Sequence, residues 1–275
     1  MTELQEKEFE LLKCFFAICE KLNLEYYLIC GTALGAVKYN GFIPWDDDVD
    51  VGLMRPDYER FLKEAPALLP EDFFLQTAQT DAAFPQLYCK LRNSNTTYIE
   101  KTDAALPINH GIYMDIFPLD GYPGGKTRQK LFEIRKEAYR FQLSVVFDMP
   151  RYFHVKLATK ALRLLGFHKR TAKTVARLNR LLMRYPPENS KLICNHGNWQ
   201  GKLEYAPREQ YGNGVLAEFE GLKVRIPEKY DEYLTQKYGD WRLDLPIEQR
   251  VGHHDYTVCD CNTPYTAYIA TKAET

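Results

Sequence analysis

The feature that most constrains this chain is an acidic cluster between a tryptophan and an apolar run. Residues 45–51 read WDDDVDV, so the carboxylates of Asp46, Asp47, Asp48 and Asp50 lie within five positions of one another. Like charges this close raise one another's pKa unless a cation or a basic ligand lies among them. A fold that gathers these side chains therefore needs a compensating positive charge.

Two of these aspartates alternate with valines. Asp48 and Asp50 interleave with Val49 and Val51, a pattern that predicts a strand with both carboxylates on one face and both valines in the core. Positions i and i+2 of a strand lie about 6–7 Å apart at Cα, so the two carboxylates can share one divalent cation. Hard oxygen ligands together with substrate phosphates suit Mg²⁺, with Mn²⁺ as the alternative. The sequence therefore predicts a metal site here.

Two other interpretations of the cluster stay open, and one is excluded. The aspartates could solvate a loop and cap the helix predicted after Pro56, or they could form an ion-pair network with a basic segment. A calcium loop of the EF-hand type is excluded because its sixth position requires glycine, and Val51 stands there.

A small-residue turn precedes the cluster. Residues 25–30 (EYYLIC) have the composition of a strand and lead directly into Gly31 and Thr32, where we predict a helix start with Thr32 as the N-cap. Free backbone N–H groups at such a start suit phosphate oxygens. Many turns of this kind bind nothing, so the signal is weak alone.

Further charged residues lie in the next predicted strands. Lys90 and Arg92 project from one face of the strand predicted over residues 87–92, either as a clamp for phosphate oxygens or as an exposed sheet edge. Asp115 interrupts the strongly apolar run of residues 111–120. A buried carboxylate is costly unless it is paired or bound to metal. Asp115 is thus the candidate for a third ligand, with a partnered structural aspartate as the alternative.

The chain has an uneven charge distribution. Its net charge is -1, but residues 126–184 hold 16 Lys and Arg against three acidic residues, and the remainder is acidic. Amphipathic patterns in this segment predict basic helices that lie on anionic lipid, hold a lipid-linked acceptor, or pack against the acidic body. No nucleic-acid-binding module is recognisable, so we expect no nucleic-acid partner.

The composition indicates a globular protein of the cytoplasm. The 275 residues are 45% hydrophobic, and the seven cysteines form no CxxC pair, which suits a reducing compartment. No apolar run approaches the ~18–20 residues that span a bilayer, and the N-terminus begins acidic rather than as a secretory signal. We therefore expect a cytoplasmic protein, with peripheral contact at the inner face of the membrane as a further expectation.

Three blocks of sequence resemble the LicD family of phosphotransferases, to which the fukutin-related proteins are also similar. They are CGTALGAVKYNGFIPWDDDVDVGLMRPDYERF at 30–61, CKLRNSNTTYIE at 89–100 and GIYMDIFPLDG at 111–121. The first block is long and specific. The sequence YGDW at 238–241 matches a weaker C-terminal pattern of the family.

The resemblance implies a nucleotidyltransferase-like α/β (α+β) fold, with a mixed sheet, flanking helices and a basic helical segment. It implies a catalytic core over 1–125, the basic segment over 126–190, and a C-terminal portion over 191–275 that completes the same domain. Gly31 and Thr32 match the family's Gly-Ser-like turn, with threonine in place of serine. The remaining matches are the D-x-D pair, the third acid and the K-x-R motif, which are Asp48 and Asp50, Asp115, and Lys90 with Arg92.

The implied activity is transfer of phosphocholine or of a similar substituted phosphate, since ethanolamine, glycerol or another substituent could replace choline in the same mechanism. A CDP-linked donor such as CDP-choline would give its substituted phosphate to a hydroxyl of a cell-surface glycan or teichoic-acid precursor. Metal bound by Asp48, Asp50 and Asp115 would neutralise charge, and Asp115 would act as the base. Lys90, Arg92 and Lys38 would hold the leaving phosphate. Aromatic faces bind quaternary ammonium groups, so Trp45 is expected to line the choline site, as are Tyr39 and Tyr113.

Two other functions stay open at this point. The same metal site could serve a nucleotidyltransferase that attaches a nucleoside monophosphate to an acceptor. The basic segment could instead make the chain a non-catalytic binder of an anionic surface polymer. Product analysis separates the first alternative from phosphocholine transfer, and binding in the presence of EDTA separates the second.

Overall fold

The computed structural model describes residues 1–145, 153–198 and 201–270. Within these residues the α-helices are α1 (Glu3–Leu22), α2 (Cys30–Tyr39), α3 (Arg55–Glu64), α4 (Lys126–Leu143), α5 (Phe153–Leu164), α6 (Thr171–Leu182), α7 (Arg208–Tyr211), α8 (Tyr230–Tyr238) and α9 (Tyr265–Ala270). The strands are β1 (Tyr26–Leu28), β2 (Asp50–Met54), β3 (Phe73–Gln76), β4 (Cys89–Asn93), β5 (Thr97–Glu100), β6 (Ile112–Gly121), β7 (Leu192–Asn195), β8 (Tyr205–Pro207), β9 (Val215–Phe219), β10 (Leu222–Ile226) and β11 (Tyr256–Asp260).

A mixed sheet forms the centre of the fold. Its strands run in the order β1-β2-β6-β4-β3. Strand β7 pairs with the C-terminal end of β6 and also with β8. Strands β2 and β6 are parallel, whereas the other pairs in this sheet are antiparallel. The predicted α+β fold with a mixed sheet and flanking helices is confirmed.

Strand β6 is the central element of this sheet. All ten of its residues are buried, as its apolar composition predicts. One charged residue near its end, Asp120, receives two hydrogen bonds from the guanidinium of Arg55, at 2.7 and 2.6 Å. This buried pair ties the start of α3 to the sheet.

Helix α1 packs on the sheet through the apolar face that its periodicity predicts. Thr2 and Gln5 form a capping box at its start, and Asn23 ends it in the left-handed conformation. Leu11, Leu12 and Phe15 are fully buried in the main core.

Several sequence predictions hold with changed boundaries, and two are wrong. Strand β2 begins at Asp50, so Asp48 lies in the extended segment before it rather than in the strand. Helix α2 begins at Cys30 with Ile29 as its N-cap, so the prediction that Thr32 caps it is wrong. The reason is that Thr32 uses its hydroxyl to hold Asp50.

The exposed-edge alternative for Lys90 and Arg92 is also wrong. Strand β4 lies between β6 and β3, so it is an interior strand of the sheet. Lys90 and Arg92 are 2% and 1% exposed. Their charges therefore need partners inside the protein.

The basic segment is helical where the structure describes it, and residues 146–152 lie outside the described ranges. Helices α4 and α6 pack together around a second hydrophobic core that includes Phe132, Val175 and Leu178. No helix among the described residues combines the length and the apolar composition that crossing a bilayer would require. The predicted boundaries at 125 and 190 stay predictions.

Candidate active site

Three charged side chains lie in a row across the middle of the sheet. Asp50 on β2 is the direct partner of Asp115 on β6, and Lys90 on β4 is the partner of Asp115 on its other side. Cross-strand partners point to the same face of a sheet. The Nζ atom of Lys90 lies 3.3 Å from Asp115 Oδ1 and 3.2 Å from Glu100 Oε1. The sheet register thus brings together two candidate metal ligands, Asp50 and Asp115, and the buried ammonium group of Lys90.

The first turn of α2 positions the acidic cluster. The Asp50 N–H donates to the hydroxyl of Thr32 at 2.8 Å, and the Ile29 N–H donates to the Asp50 carbonyl at 3.1 Å. A Cβ at Gly31 would lie 2.9 Å from Asp46 Oδ2, so a larger residue here would require that carboxylate to shift. The predicted residues Gly31 and Thr32 therefore adjoin the cluster.

Burial and mutual repulsion raise the pKa of three carboxyl groups at the site, those of Asp46, Asp50 and Asp115. Burial, followed by the charges of Asp48 and Asp47, raises the pKa of Asp46 to about 8. Burial also raises the pKa of Asp50 well above its usual range, and Asp48 and Asp115 add to this effect. For Asp115, burial outweighs the opposing charge of Lys90, and its pKa rises to about 6. The fold holds these groups together at a cost that a cation would relieve.

A C-terminal loop, residues 239–255, closes over the cluster. The ammonium of Lys38 donates to the carbonyl oxygens of residues 241, 242 and 243 and pairs with Asp244 at 3.0 Å. The guanidinium of Arg250 lies over the ring of Trp45 at 5.1 Å from its centroid. The described contacts of Lys38 thus hold the loop, and one face of Trp45 is already covered by a cation.

The loop also brings His254 to the cluster. Its Nδ1 atom lies 3.1 Å from Asp47 Oδ1, and its Nε2 atom lies 4.0 Å from Asp48 Oδ2. Burial lowers the pKa of His254, but the hydrogen bond to Asp47 and the charge of Asp48 outweigh it and raise the pKa to about 9. Sequence reasoning missed His254 because no local pattern links it to residues 207 positions away.

Glu8 is a second residue that the sequence analysis missed. It lies on the apolar face of α1, is 2% exposed, and is surrounded by Asp46, Asp47 and Asp48. Burial first, and then these negative charges, raise its pKa well above the usual range. A charged residue on the buried stripe of an amphipathic helix is a signal that could have identified it.

Arg92 and Tyr113 have structural contacts. The Arg92 guanidinium donates to Gln76 Oε1 and to the Gly111 carbonyl, both at 2.6 Å. The ring of Tyr113 already carries Lys90 Nζ at 3.1 Å from its centroid and the guanidinium of Arg92 at 4.8 Å. These contacts give Arg92 a bracing role in the sheet, and they occupy the ring that the sequence analysis suggested for choline.

Comparison with known proteins shows the family of this chain. Residues 23–161 match the model of a family described as LicD/FKTN/FKRP, nucleotidyltransferase domain. The chain belongs to the LicD family. It is 30% identical over 251 residues to the lipopolysaccharide cholinephosphotransferase LicD of Haemophilus influenzae, which covers 89% of this chain and 92% of that protein. It is also 33% identical over 117 residues to an uncharacterized protein of Rickettsia prowazekii, which covers 42% of this chain and 40% of that protein.

The family assignment confirms the prediction of a LicD-type phosphotransferase. The matched range contains both the D-x-D pair and Asp115. The alignment with the Haemophilus LicD protein extends over most of both chains, so the likeness is not confined to the nucleotidyltransferase core.

The residues of this LicD site suit a divalent cation. Hard carboxylate oxygens are the ligands that Mg²⁺ and Mn²⁺ accept. Glu8 Oε2 is buried and has no hydrogen-bond partner among the described residues, and Asp115 Oδ1 has the ion pair with Lys90 but no hydrogen bond. Of the described groups, those whose ligand atoms all lie within 4.8 Å of one another are Asp47, Asp48 and His254. The predicted set of Asp48, Asp50 and Asp115 shares Asp48 with this group, but its ligand atoms do not all lie within 4.8 Å of one another.

Proposed function

We propose that this protein transfers phosphocholine from a CDP-activated donor to a hydroxyl of a lipopolysaccharide glycan, with the help of a divalent cation. The observation that carries the proposal is the row of Asp50, Asp115 and Lys90 across three strands, next to Asp48. The name of the Haemophilus relative supports phosphocholine as the group transferred and lipopolysaccharide as the acceptor. A teichoic-acid precursor stays an alternative acceptor of the same chemistry.

The carboxylates would bind the cation. Asp48 and Asp50, with Asp115 as the third candidate, offer hard oxygens around the face where the donor's pyrophosphate would lie. When bound, Mg²⁺ or Mn²⁺ would neutralise the charge that develops on the phosphoryl oxygens as CMP leaves.

Asp115 is the proposed base. In the metal-free protein burial raises its pKa to about 6, so the carboxylate is ionised at neutral pH and can accept a proton when Asp48 and Asp50 hold the cation. As the acceptor hydroxyl forms its bond to phosphorus, its proton would pass to this carboxylate, and the bond from phosphorus to the CMP oxygen would break. Lys90, 3.3 Å from Asp115 Oδ1, would keep the carboxylate in place and offer positive charge to a phosphate oxygen.

The first turn of α2 would orient the phosphates. The Ala33 N–H already donates to the Ile29 carbonyl at 3.1 Å. We therefore assign this role to the backbone N–H groups of Gly31 and Thr32, which lie in the first turn of α2 close to Asp46. Lys38 and Arg92 would act indirectly, by holding the C-terminal loop and the sheet. Trp45 stays the predicted wall of the choline site, through whichever part of its ring Arg250 leaves open.

The basic segment would meet the acceptor. On α4, Leu131, Ile134 and Phe141 are exposed, and they lie among basic residues. An exposed apolar stripe with surrounding positive charge suits a lipid-linked, anionic acceptor at a membrane surface. We therefore propose peripheral contact with the inner face of the membrane.

The test is turnover of CDP-choline with Mg²⁺, with and without EDTA, followed by phosphorus NMR. The proposal predicts Mg²⁺-dependent release of CMP, loss of this release in Asp50→Asn, and no loss in Asp72→Asn, a substitution at an exposed aspartate. Release of pyrophosphate or choline phosphate would instead indicate transfer of a nucleotide. Polymer binding that persists in EDTA and in Asp48→Asn, without turnover, would indicate a non-catalytic binder.

A further inference from the structure

His254 is held at the acidic cluster in one orientation. Its Nδ1 atom is 3.1 Å from Asp47 Oδ1, and the backbone N–H groups of His253 and His254 donate to the same carboxylate at 3.0 and 3.1 Å. An ionised carboxylate only accepts hydrogen bonds, so Nδ1 carries the proton in this contact. Nε2 is then the ring nitrogen that a cation can bind, with release of the proton that this nitrogen carries in the metal-free protein at neutral pH.

The position of Nε2 suits a shared ion. It lies 4.0 Å from Asp48 Oδ2. Two ligand atoms that are each about 2.1 Å from one cation are separated by about 3.0 to 4.2 Å, depending on the angle between them. The ring of Tyr113 meets the imidazole edge to face, with centroids 6.3 Å apart, and so limits its rotation. Nε2 and Asp48 can therefore bind one ion without a large movement.

Glu8 gives an independent sign of a cation at this place. Its carboxylate enters the cluster from α1, on the opposite end of the chain from His254. It is 2% exposed, and its Oε2 atom has no hydrogen-bond partner among the residues that the structure describes. A buried carboxylate oxygen without a hydrogen bond is costly, and a bound cation is one way to satisfy it.

We propose that His254 Nε2 is a ligand of the divalent cation, shared with Asp48, and that Asp47 orients the ring. This inference rests on the proposed metal-dependent transferase and adds a nitrogen to its ligand set. A carboxylate that accepts the other ring N–H is the usual partner of a metal-binding histidine. An imidazole ligand favours a first-row transition metal over Mg²⁺, and Mn²⁺ also accepts the carboxylate oxygens of the cluster, so Mn²⁺ is the probe for this ligand set.

The experiment measures ligation rather than turnover. Full-length protein is loaded with Mn²⁺, and pulsed electron paramagnetic resonance detects coupling between the manganese electrons and a ¹⁴N nucleus. Wild-type protein is expected to show this coupling. Because this measurement needs no variant, misfolding of a variant cannot explain a negative result. His254→Ala is expected to remove the coupling and to weaken Mn²⁺ binding by tenfold or more in calorimetry.

Two further variants complete the test. Asp47→Asn is expected to weaken Mn²⁺ binding by about tenfold, because the ring loses its orienting carboxylate. His253→Ala is the matched control, since that neighbouring side chain is exposed, and it is expected to leave both readouts unchanged. Bound Mn²⁺ without nitrogen coupling, or no Mn²⁺ binding by wild-type protein, would overturn the inference and leave His254 as an ion-pair partner of Asp47. Nitrogen coupling without CMP release would uphold the inference and contradict the proposed function.

Discussion

Asp115→Asn is expected to make the metal-free protein more stable while it removes activity. The carboxylate is 5% exposed and adjoins Asp50, and its pKa rises from 3.8 to about 6 through burial, against the opposing charge of Lys90. At about 1.4 kcal/mol for each pKa unit, ionised Asp115 lowers the free energy of unfolding by about 3 kcal/mol. Asparagine has nearly the same shape and carries no charge, so the variant avoids this penalty.

The sign of the pH dependence follows from the direction of the shift. A carboxyl group whose pKa is raised by folding carries no penalty below pH 3.8, where it is protonated in both states, and the full penalty above about pH 6. The stability gain of Asp115→Asn should therefore be near zero at pH 3.8 and about 3 kcal/mol at pH 7.5. Urea unfolding in EDTA at several pH values measures it.

Two comparisons make this test specific. Saturating Mg²⁺ should reduce or reverse the difference, because wild-type protein gains about 2.7 kcal/mol at a metal concentration a hundred times its Kd and the variant gains less. Asp120→Asn, on the same strand, should instead destabilise the protein, although burial raises the pKa of Asp120 as well. The buried Arg55 guanidinium would lose both of its hydrogen bonds to that carboxylate and keep the one to Glu59, and breaking a buried ion pair in this way costs about 3–5 kcal/mol. An Asp115→Asn variant that is less stable at pH 7.5, or a difference that does not change with pH, would refute the reasoning.

Three further predictions concern the surroundings of the site. Arg92→Leu should cost about 3 kcal/mol in urea unfolding, because two buried acceptors lose their donor; a loss below about 1 kcal/mol would contradict the bracing role. Burial would raise the pKa of Glu100, but Lys90 lowers it from 4.5 to about 2. Glu100→Gln should therefore lower the free energy of unfolding by up to about 3 kcal/mol at pH 7, and this loss should fade as the pH drops from 4.5 toward 2. Urea unfolding at pH 7 and near pH 2 measures it, and an equal difference at both pH values would contradict the prediction. Gly35→Ala should lower the melting temperature, since the new Cβ would lie 2.4 Å from the Gly41 carbonyl oxygen, and a gain in stability would argue against so tight a contact.

Local patterns in the sequence determined much of the fold. The apolar spacing of residues 4–22 is typical of an amphipathic helix and corresponds to α1. The hairpin of β9 and β10 turns at Glu220 and Gly221, both with positive φ, which suits the glycine. The cost of a charge in an apolar strand singled out Asp115, which is buried in β6. These predictions succeed because each depends only on residues close in sequence, and the spacing of apolar residues along a helix or strand indicates which of its faces is buried.

The tertiary structure alone decided which of these residues meet. Lys90 lies beside Asp115 through the register of β4 and β6, and no local pattern encodes a register between distant strands. Lys38 was expected at a phosphate, yet its ammonium holds the C-terminal loop, and that loop carries His254 to Asp47 across 207 positions. The sequence by itself determined that a cluster of carboxylates needs positive charge. Only the fold decided which groups lie around these carboxylates, because the C-terminal loop folds back onto them and places His254 beside Asp47.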